Sequence, residues 1–250
     1  MDGVVDPVRI HMEVGANLPL KRVLTKRYGC GLGTTCFLFD PQYVRGAWAQ
    51  ECEKKAKEIG NTTCLPYAAW VRNETREFKS HTENQGQYST LYSGTIRDKF
   101  WTASRHTRKL ISAPTVFSVQ AIDLAEWMQR HIPTNAYLTA KIDVEGAEYA
   151  LMRHLIMRGQ ACRFSKLEFE GHAMSNPAFA PLRAFDVLLP WLLHGCERPP
   201  TVAVSRYYGT NRSSGTDLRV QKFVTRIPRS AWCADCALLD ELVDTSLGSL

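Results

Sequence analysis

The chain has 250 residues, of which 44% are hydrophobic and 22% are charged, and it carries a formal net charge of +6. These values are ordinary for a globular chain with a sizeable core, and the length allows one large α/β domain. The mild basic excess fits a solvated basic surface and does not indicate nucleic acid as a partner. No apolar run approaches the roughly 18 residues that span a bilayer, so we expect no membrane insertion.

The cysteines bear on where the protein resides. Eight of them are scattered along the chain, and several fall inside predicted strands or helices. The acidic start, residues 1–6, lacks the basic, apolar and small-residue progression of a secretory signal. We therefore expect reduced thiols and a cytoplasmic protein. Cys233 and Cys236 have the spacing of zinc ligands, but no second pair matches them, which favours ordinary cysteines.

Strands and helices alternate along the N-terminal part of the chain. Apolar spacing predicts them in the order strand 8–14, helix 18–27, strand 36–39, helix 43–59 and strand 62–67. Asn17 can cap the first helix, and Pro19 fits its first turn. This order predicts parallel βαβ units with right-handed crossovers.

The middle of the chain is polar and basic. Residues 75–80 and 88–92 alternate weakly and could pair as a hairpin, so we interpret 72–115 as an insertion or lid. Two aromatic rings interrupt a basic run there: Arg97, Lys99, Phe100, Trp101, Arg105, Arg108 and Lys109. Such a run can meet an anionic or sugar substrate, although a mobile solvated loop fits it better.

The C-terminal half returns to regular elements. The pattern predicts strand 117–122, helix 124–131, strand 137–142, a helix ending near 158, strand 165–170 and a buried helix 180–193. Asp123 can cap the helix 124–131, and Pro133 ends it. Two last strands, 201–207 and 218–225, predict an antiparallel edge on a mostly parallel sheet. Residues 231–250 are predicted as a short helix and a tail.

The stretch 141–148, Lys-Ile-Asp-Val-Glu-Gly-Ala-Glu, is the centre of the predicted chemistry. A buried strand ends there in carboxylates, and Gly146 makes a turn into a helix. Ligands in open α/β sheets sit beyond the carboxyl ends of strands, so Asp143 and Glu145 are placed to touch one. The first predicted strand ends in a similar way, with an acid and a glycine turn at 13–17.

The first turn indicates a nucleoside site. Gly15 allows a close backbone approach, and the following helix offers free N–H groups. Leu18 and Pro19 stand where a dinucleotide fingerprint has further glycines, so a nucleoside without phosphates fits better, and a plain tight turn fits equally well. Asp40 can accept hydrogen bonds from both ribose hydroxyls, or can cap the segment that starts at Pro41.

Together these features resemble the class I S-adenosylmethionine-dependent methyltransferases, and the stretch 141–148 is similar to the hallmark of the FkbM-type family. The resemblance runs from about residue 10 to residue 172 and includes the segments 13–17, 39–41, 68–69, 86–89, 121–124 and 168–172. It implies a Rossmann-like α/β fold in a single domain, residues 1–250. That fold has a seven-stranded, mostly parallel sheet with an antiparallel edge strand and helices on both faces.

Members of this family are known or inferred to methylate hydroxyls of sugars and polyketide-like metabolites. The resemblance therefore implies an S-adenosylmethionine-dependent O-methyltransferase with a small-molecule or carbohydrate acceptor. It implies cofactor contacts from Glu13, Gly15, Ala16, Asn17, Asp40, Pro41, Ala68 and Asp143. The family usually has a second glycine where this chain has Leu18 and Pro19. That departure leaves a rival interpretation, a catalytically degenerate nucleoside-fold module that contacts RNA through the basic insertion.

Methyl transfer from a sulfonium needs mainly alignment of the acceptor oxygen, together with a base that takes its proton. Asp143, Glu145 and His172 are the candidate catalytic residues, because all three are predicted at strand ends. The carboxylates can instead stabilise the helix N-terminus, and His172 can be a structural histidine. Glu148, in the first helical turn, is expected to be structural. Asp143 and Glu145 could bind a divalent cation, but no acidic partner motif accompanies them, so we expect no metal.

Overall fold

The computed structural model describes residues 7–17, 21–44, 46–80, 91, 115–172 and 183–206. The strands in these ranges are β1 Arg9–Val14, β2 Thr34–Phe39, β3 Thr62–Leu65, β4 Ala68–Trp70, β5 Glu74–Ser80, β6 Thr115–Asp123, β7 Tyr137–Ile142, β8 Phe164–Gly171 and β9 Thr201–Arg206. The helices are α1 Lys21–Val23, α2 Gly46–Ile59, α3 Leu124–His131, α4 Glu148–Met157 and α5 Arg183–Leu193. A π-helical turn, Leu24–Tyr28, continues α1, and 3₁₀ turns occupy Pro41–Val44 and Ala161–Arg163.

Within the described ranges, six parallel strands form the main sheet, in the order β3-β2-β1-β7-β8-β9. β1 and β7 are adjacent at its centre, with Val14 beside Ile142. The prediction of an α/β fold built on parallel strands is therefore confirmed. β9 pairs with β8 in parallel. The predicted strand 218–225, which would supply a seventh strand and an antiparallel edge, lies outside the described residues.

The alternation of side chains along β1 explains how the sheet carries both a core and a polar row. Ile10, Met12 and Val14 are buried in the main hydrophobic cluster, together with side chains of α3, α4 and α5. Side chains of a strand alternate between its two faces, so His11 and Glu13 face the other way. A second cluster, formed by α2, β2 and the π-helical turn, packs on that other side. Helices thus flank the sheet.

The described helices are short, and residues next to α3 determine where it begins and ends. The predicted bounds of α3 are confirmed, and the Asp123 side chain accepts the Glu126 N–H at 3.0 Å as its cap. The longest described helix, α2, has 14 residues. Within the described ranges no helix is both long enough and apolar enough to cross a membrane.

A second sheet has three strands, in the order β4-β6-β5. It includes a strand that the sequence did not predict, because the predicted strand 62–67 ends as β3 at Leu65 and β4 begins at Ala68 in a different sheet. Pro66 separates them, because proline has no N–H to donate to a strand ladder. β5 pairs antiparallel with β6, whereas the predicted hairpin partner, 88–92, lies outside the described residues except for Leu91. The supposed insertion or lid, 72–115, thus begins as a strand of this sheet.

Three disulfides among the described residues show that the expectation of reduced thiols is wrong for the cysteines they join. They join Cys30 to Cys36, Cys52 to Cys64 and Cys162 to Cys196, with Cα–Cα distances of 5.8, 6.2 and 5.2 Å. Their sequence separations of 6, 12 and 34 follow no common pattern, so the pairing is set by the fold and not by spacing. Disulfides are rare in cytosolic proteins, and the expected cytoplasmic location loses its support. Cys233 and Cys236 lie outside the described residues.

Candidate active site

The carboxyl ends of β1, β2 and β7 meet at Gly15. Its backbone has φ +83°, and a Cβ atom placed on it would lie 1.7 Å from the carbonyl oxygen of Asp143. The Gly15 N–H donates to the carbonyl of Phe39 at 2.9 Å, and the Asp143 N–H donates to that of Val14 at 2.9 Å. A side chain at position 15 would therefore push β7 away from β1. Glu13 and Asp143 lie at the same edge of the sheet, because β1 and β7 run parallel.

Asp40 connects the first turn to the end of β2. One of its carboxylate oxygens accepts the Gln42 N–H at 2.8 Å, and the other accepts the Asn17 N–H at 2.7 Å. The residue is only 4% exposed, and burial raises the pKa of its carboxyl to about 6. The Gln42 contact is the cap expected for the segment that starts at Pro41. A ribose would have to use the remaining lone pairs of the same two oxygens.

The other predicted cofactor residues divide between the first turn, residues 13–17, and the central turn, residues 143–147. Ala16 is buried, and its N–H donates to the carbonyl of Phe39 at 3.1 Å. Asn17 adopts φ 49°, and its carbonyl accepts the Tyr43 hydroxyl. Ala68 lies on β4, in the hydrophobic cluster that also contains Ala147. The structure therefore associates Ala68 with the central turn.

Lys141 lies among carboxylates at the end of β7. Its ammonium nitrogen is 2.7 Å from Asp143 Oδ2, 3.6 Å from Glu13 Oε1 and 3.9 Å from Glu170 Oε2. Burial disfavours a charge on Asp143, but Lys141 and His172 outweigh it and lower the pKa of that carboxyl. Burial and the neighbouring Asp143 raise the pKa of Glu170 to about 7. At neutral pH Asp143 is therefore ionised, while Glu170 holds a proton in part.

Sequence reasoning assigned no role to Lys141 or Glu170. Lys141 pairs with Glu13 on one side and with Glu168 on the other in the strand register. Glu170 lies two residues beyond Glu168 and therefore points to the same face. The sequence did contain one sign of this role: polar residues at every second position of these strands. Strands of a parallel sheet are normally apolar on both faces.

His172 follows β8 and faces carboxylates on both sides of its ring. Nδ1 lies 3.1 Å from Glu148 Oε1, while Nε2 lies 3.4 Å from Glu145 Oε2 and 3.9 Å from Asp143 Oδ1. Burial opposes a charge on the ring, but Glu148, Glu145 and Asp143 together raise the pKa of His172 to about 10. At neutral pH the ring is an imidazolium, which donates from both nitrogens and accepts no proton.

The structure thus brings the three predicted catalytic residues together, and their charges distinguish them. Asp143 is held ionised, whereas His172 is held protonated, so the arrangement favours Asp143 as the base. Glu145 adopts φ 56° and Gly146 adopts φ 104°. A non-glycine residue in this region costs roughly 1 kcal/mol or more. With its backbone in this strained conformation, Glu145 has its carboxylate beside His172.

A polar row continues from this cluster along the central strands. His11 bonds Glu13 through Nε2 and Thr139 through Nδ1, each at 2.9 Å. Its ring stacks on Tyr28 with the centroids 3.7 Å apart. The Tyr28 hydroxyl donates to Glu168 at 3.0 Å, and burial is the largest cause that raises the pKa of Tyr28. The π-helical turn thereby contributes a side chain to the polar face of the sheet.

The group formed by Lys141, Asp143, Glu145, Glu148, Glu170 and His172, here called the central cluster, also meets the distance requirement of a metal site. Ligand-type atoms of Asp143, Glu170 and His172 lie within 4.8 Å of one another. A metal would need the lone pair of a His172 nitrogen, which must first lose its proton. It would also compete with the Lys141 ammonium for Asp143. The expectation of no metal therefore stays a prediction.

Comparisons of the chain with protein-family models, with curated proteins and with solved structures gave no match in any of the three.

Three features noted in the sequence lie outside the described residues: the pair Leu18 and Pro19, the basic run 97–109, and the pair Cys233 and Cys236.

Proposed function

We propose that this chain is an S-adenosylmethionine-dependent O-methyltransferase that acts on a hydroxyl group of a sugar or small metabolite. One observation carries the proposal: the contact between Gly15 and Asp143 at the centre of the sheet. The strand order reverses between β1 and β7, and ligands of open α/β sheets bind at such a switch point. Both acid-bearing turns open at that point, which supports a nucleoside-containing ligand there.

Charge supports a cationic ligand over a phosphate. Lys141 and His172 face a larger set of carboxylates, namely Glu13, Asp143, Glu145, Glu148 and Glu170. Excess negative charge attracts a cation and repels a phosphate. A donor that carries a sulfonium and an amino group fits this edge. The rival interpretation places RNA at the basic insertion, which lies outside the described residues.

The residues of the two turns divide the work of such a reaction. When bound, S-adenosylmethionine supplies a methyl group already activated by the sulfonium. Glu13 and the turn 15–17 would hold the donor, together with Asp40. Asp143 would orient the acceptor hydroxyl and take its proton as charge develops. Lys141 and His172 keep Asp143 ionised, so that it can accept that proton.

We also propose that the protein resides in an oxidising compartment, because disulfides persist where thiols are not kept reduced. Alkylation of the native protein without reductant should leave the paired cysteines unmodified: Cys30, Cys36, Cys52, Cys64, Cys162 and Cys196. Full modification of these cysteines in freshly isolated protein would contradict the proposal.

Ligand-induced stabilisation tests the proposed activity directly. S-adenosylmethionine and S-adenosylhomocysteine should both raise the Tm, since a ligand that binds the native state stabilises it. Product mass spectrometry with a panel of glycans and small metabolites would then identify the acceptor. If neither ligand changes the Tm and titration calorimetry detects no binding, the chain is not a methyltransferase.

A further inference from the structure

Glu148 is the carboxylate that connects the parts of the central cluster. It lies in the first turn of α4 and is fully buried. Its Oε2 accepts the Gly146 N–H at 2.6 Å. Its Oε1 accepts the backbone N–H of His172 at 3.1 Å and faces Nδ1 of the same residue at 3.1 Å. One side chain thus joins the helix, the central turn and the end of β8.

These contacts determine which way the imidazole faces. With Nδ1 held by Glu148, the opposite nitrogen is directed to Glu145 at 3.4 Å and to Asp143 at 3.9 Å. An ionised carboxylate buried away from water needs a paired charge and hydrogen bonds. His172 supplies both to Glu148. The buried carboxylate, in turn, favours a ring that keeps protons on both nitrogens.

We propose that Glu148 is a positioning residue of this site: it orients His172, fixes its protonation, and thereby presents an N–H to Asp143 and Glu145. The inference rests on the proposed function only where it concerns turnover. An imidazolium in this place keeps Asp143 ionised and limits the directions in which its carboxylate can turn. Without Glu148 the ring would be free to lose a proton, and Asp143 would lose a charged neighbour.

A second histidine–carboxylate pair offers a matched control. Like Glu148, Asp123 accepts a backbone N–H near the start of a helix and bonds a histidine, with His154 Nε2 2.8 Å from its Oδ1. The pair lies outside the central cluster. Asp123→Asn therefore changes a carboxylate that has the same two kinds of partner, a backbone N–H and a histidine ring. It reports what a purely structural loss would do.

The protonation of His172 can be measured in the wild-type protein without a variant. Nitrogen chemical shifts of the ring should show both nitrogens protonated at pH 8, where an ordinary histidine with a pKa of about 6.5 is neutral. This result does not depend on methyl transfer. A ring that titrates near the ordinary value would overturn the proposal, whatever the activity of the protein.

The variants then separate positioning from folding. Glu148→Gln keeps the shape and removes the charge, so the His172 titration should move toward its ordinary value and turnover should fall about 10²-fold. Glu148→Asp should recover part of both. Asp123→Asn should lower the Tm but leave the His172 titration and turnover unchanged. A folded Glu148→Gln protein with wild-type titration and turnover would overturn the proposal, and so would equal turnover losses in Glu148→Gln and Asp123→Asn.

The two proposals fail in different ways. If the wild-type protein neither binds S-adenosylmethionine nor transfers a methyl group, the proposed function is wrong, yet the ring titration still decides whether Glu148 fixes the state of His172. If Glu148→Gln does not fold, the wild-type ring shifts and the Glu148→Asp variant provide the same decision.

Discussion

The first turn and the central turn of this protein are built on the same plan and differ in charge. Each follows a central parallel strand, each contains a glycine with positive φ, and each is held by a buried carboxylate that accepts backbone N–H groups. Asp40 meets neutral amides, so burial prevails and raises its pKa to about 6. Glu148 meets an imidazole whose pKa is raised to about 10.

That difference suggests a division of labour. The first turn, where Asp40 accepts only neutral amide N–H groups, suits an uncharged part of a ligand, such as a ribose. A turn that contains an ion pair holds a neighbouring carboxylate ionised, which is the form that can accept a proton, and lowers its basicity at the same time. Under the proposed function, the same backbone arrangement would serve ligand binding in one place and proton transfer in the other.

The largest expected effect concerns the contact between the two turns. Gly15→Ala should lower the free energy of unfolding by about 4 kcal/mol or more, because the new Cβ meets the Asp143 carbonyl and the backbone is strained. Gly33→Ala is the control: its φ is +90°, but a Cβ there meets nothing within 4 Å. It should cost only about 1 kcal/mol. Urea unfolding of both variants measures the difference, and equal costs would mean that the turns are not in contact.

The central turn is tested by removing the basicity of Asp143 while keeping its shape. Asp143→Asn should lower turnover by roughly 10²-fold, the usual scale for a positioned base. Donor affinity should be largely kept, since the side chain acts on the acceptor. Steady-state turnover and titration calorimetry are the two measurements. Normal turnover in the asparagine variant would remove Asp143 from the role of base.

The first turn is tested by Asp40→Ala. Donor affinity should fall by about 1–3 kcal/mol, the cost of losing charge-assisted hydrogen bonds. Stability should also fall, because the buried carboxylate accepts the Gln42 and Asn17 amides that the variant would leave unpaired. Turnover at saturating donor should change little. Wild-type affinity in titration calorimetry would leave Asp40 as a cap alone.

Much of this arrangement was predictable, because the signals are local. The bounds of α3 and β7 follow from apolar periodicity, from the Asp123 cap and from Pro133. The shared edge of Glu13 and Asp143 follows from the parallel order of β1 and β7. The disulfides and the partner of β5 were not predictable from spacing, because distances across the fold decide them. The sequence placed Glu148 in the first helical turn and so predicted a structural residue. Its contact with His172 could not be predicted, because that contact arises only where β8 ends beside α4.

The pH dependence of stability should separate the two turns. A raised pKa means that the folded state binds the proton more tightly, so each contribution is complete at low pH and is lost as pH rises. The contribution of Asp40 to stability is lost between pH 3.8 and about pH 6, the ordinary and the raised pKa of its carboxyl. The contribution of His172 is lost between pH 6.5 and about pH 10. The difference in unfolding free energy between wild type and Asp40→Asn should change in the first window. The difference in unfolding free energy between wild type and His172→Gln should change in the second pH window. If both differences change over the same pH range, the two turns do not differ in the way proposed.

The smallest expected effect is the response to metal removal. Asp143, Glu170 and His172 are close enough to hold a divalent cation, yet Lys141 already lies 2.7 Å from Asp143. The His172 ring carries protons on both nitrogens, so a metal must displace one before it binds. Dialysis against a chelator, followed by assay with and without added Mg²⁺, Mn²⁺ or Zn²⁺, should leave turnover unchanged. Loss of turnover that one of these ions restores would mean that the central turn is closed by a metal and not by the Glu148–His172 pair.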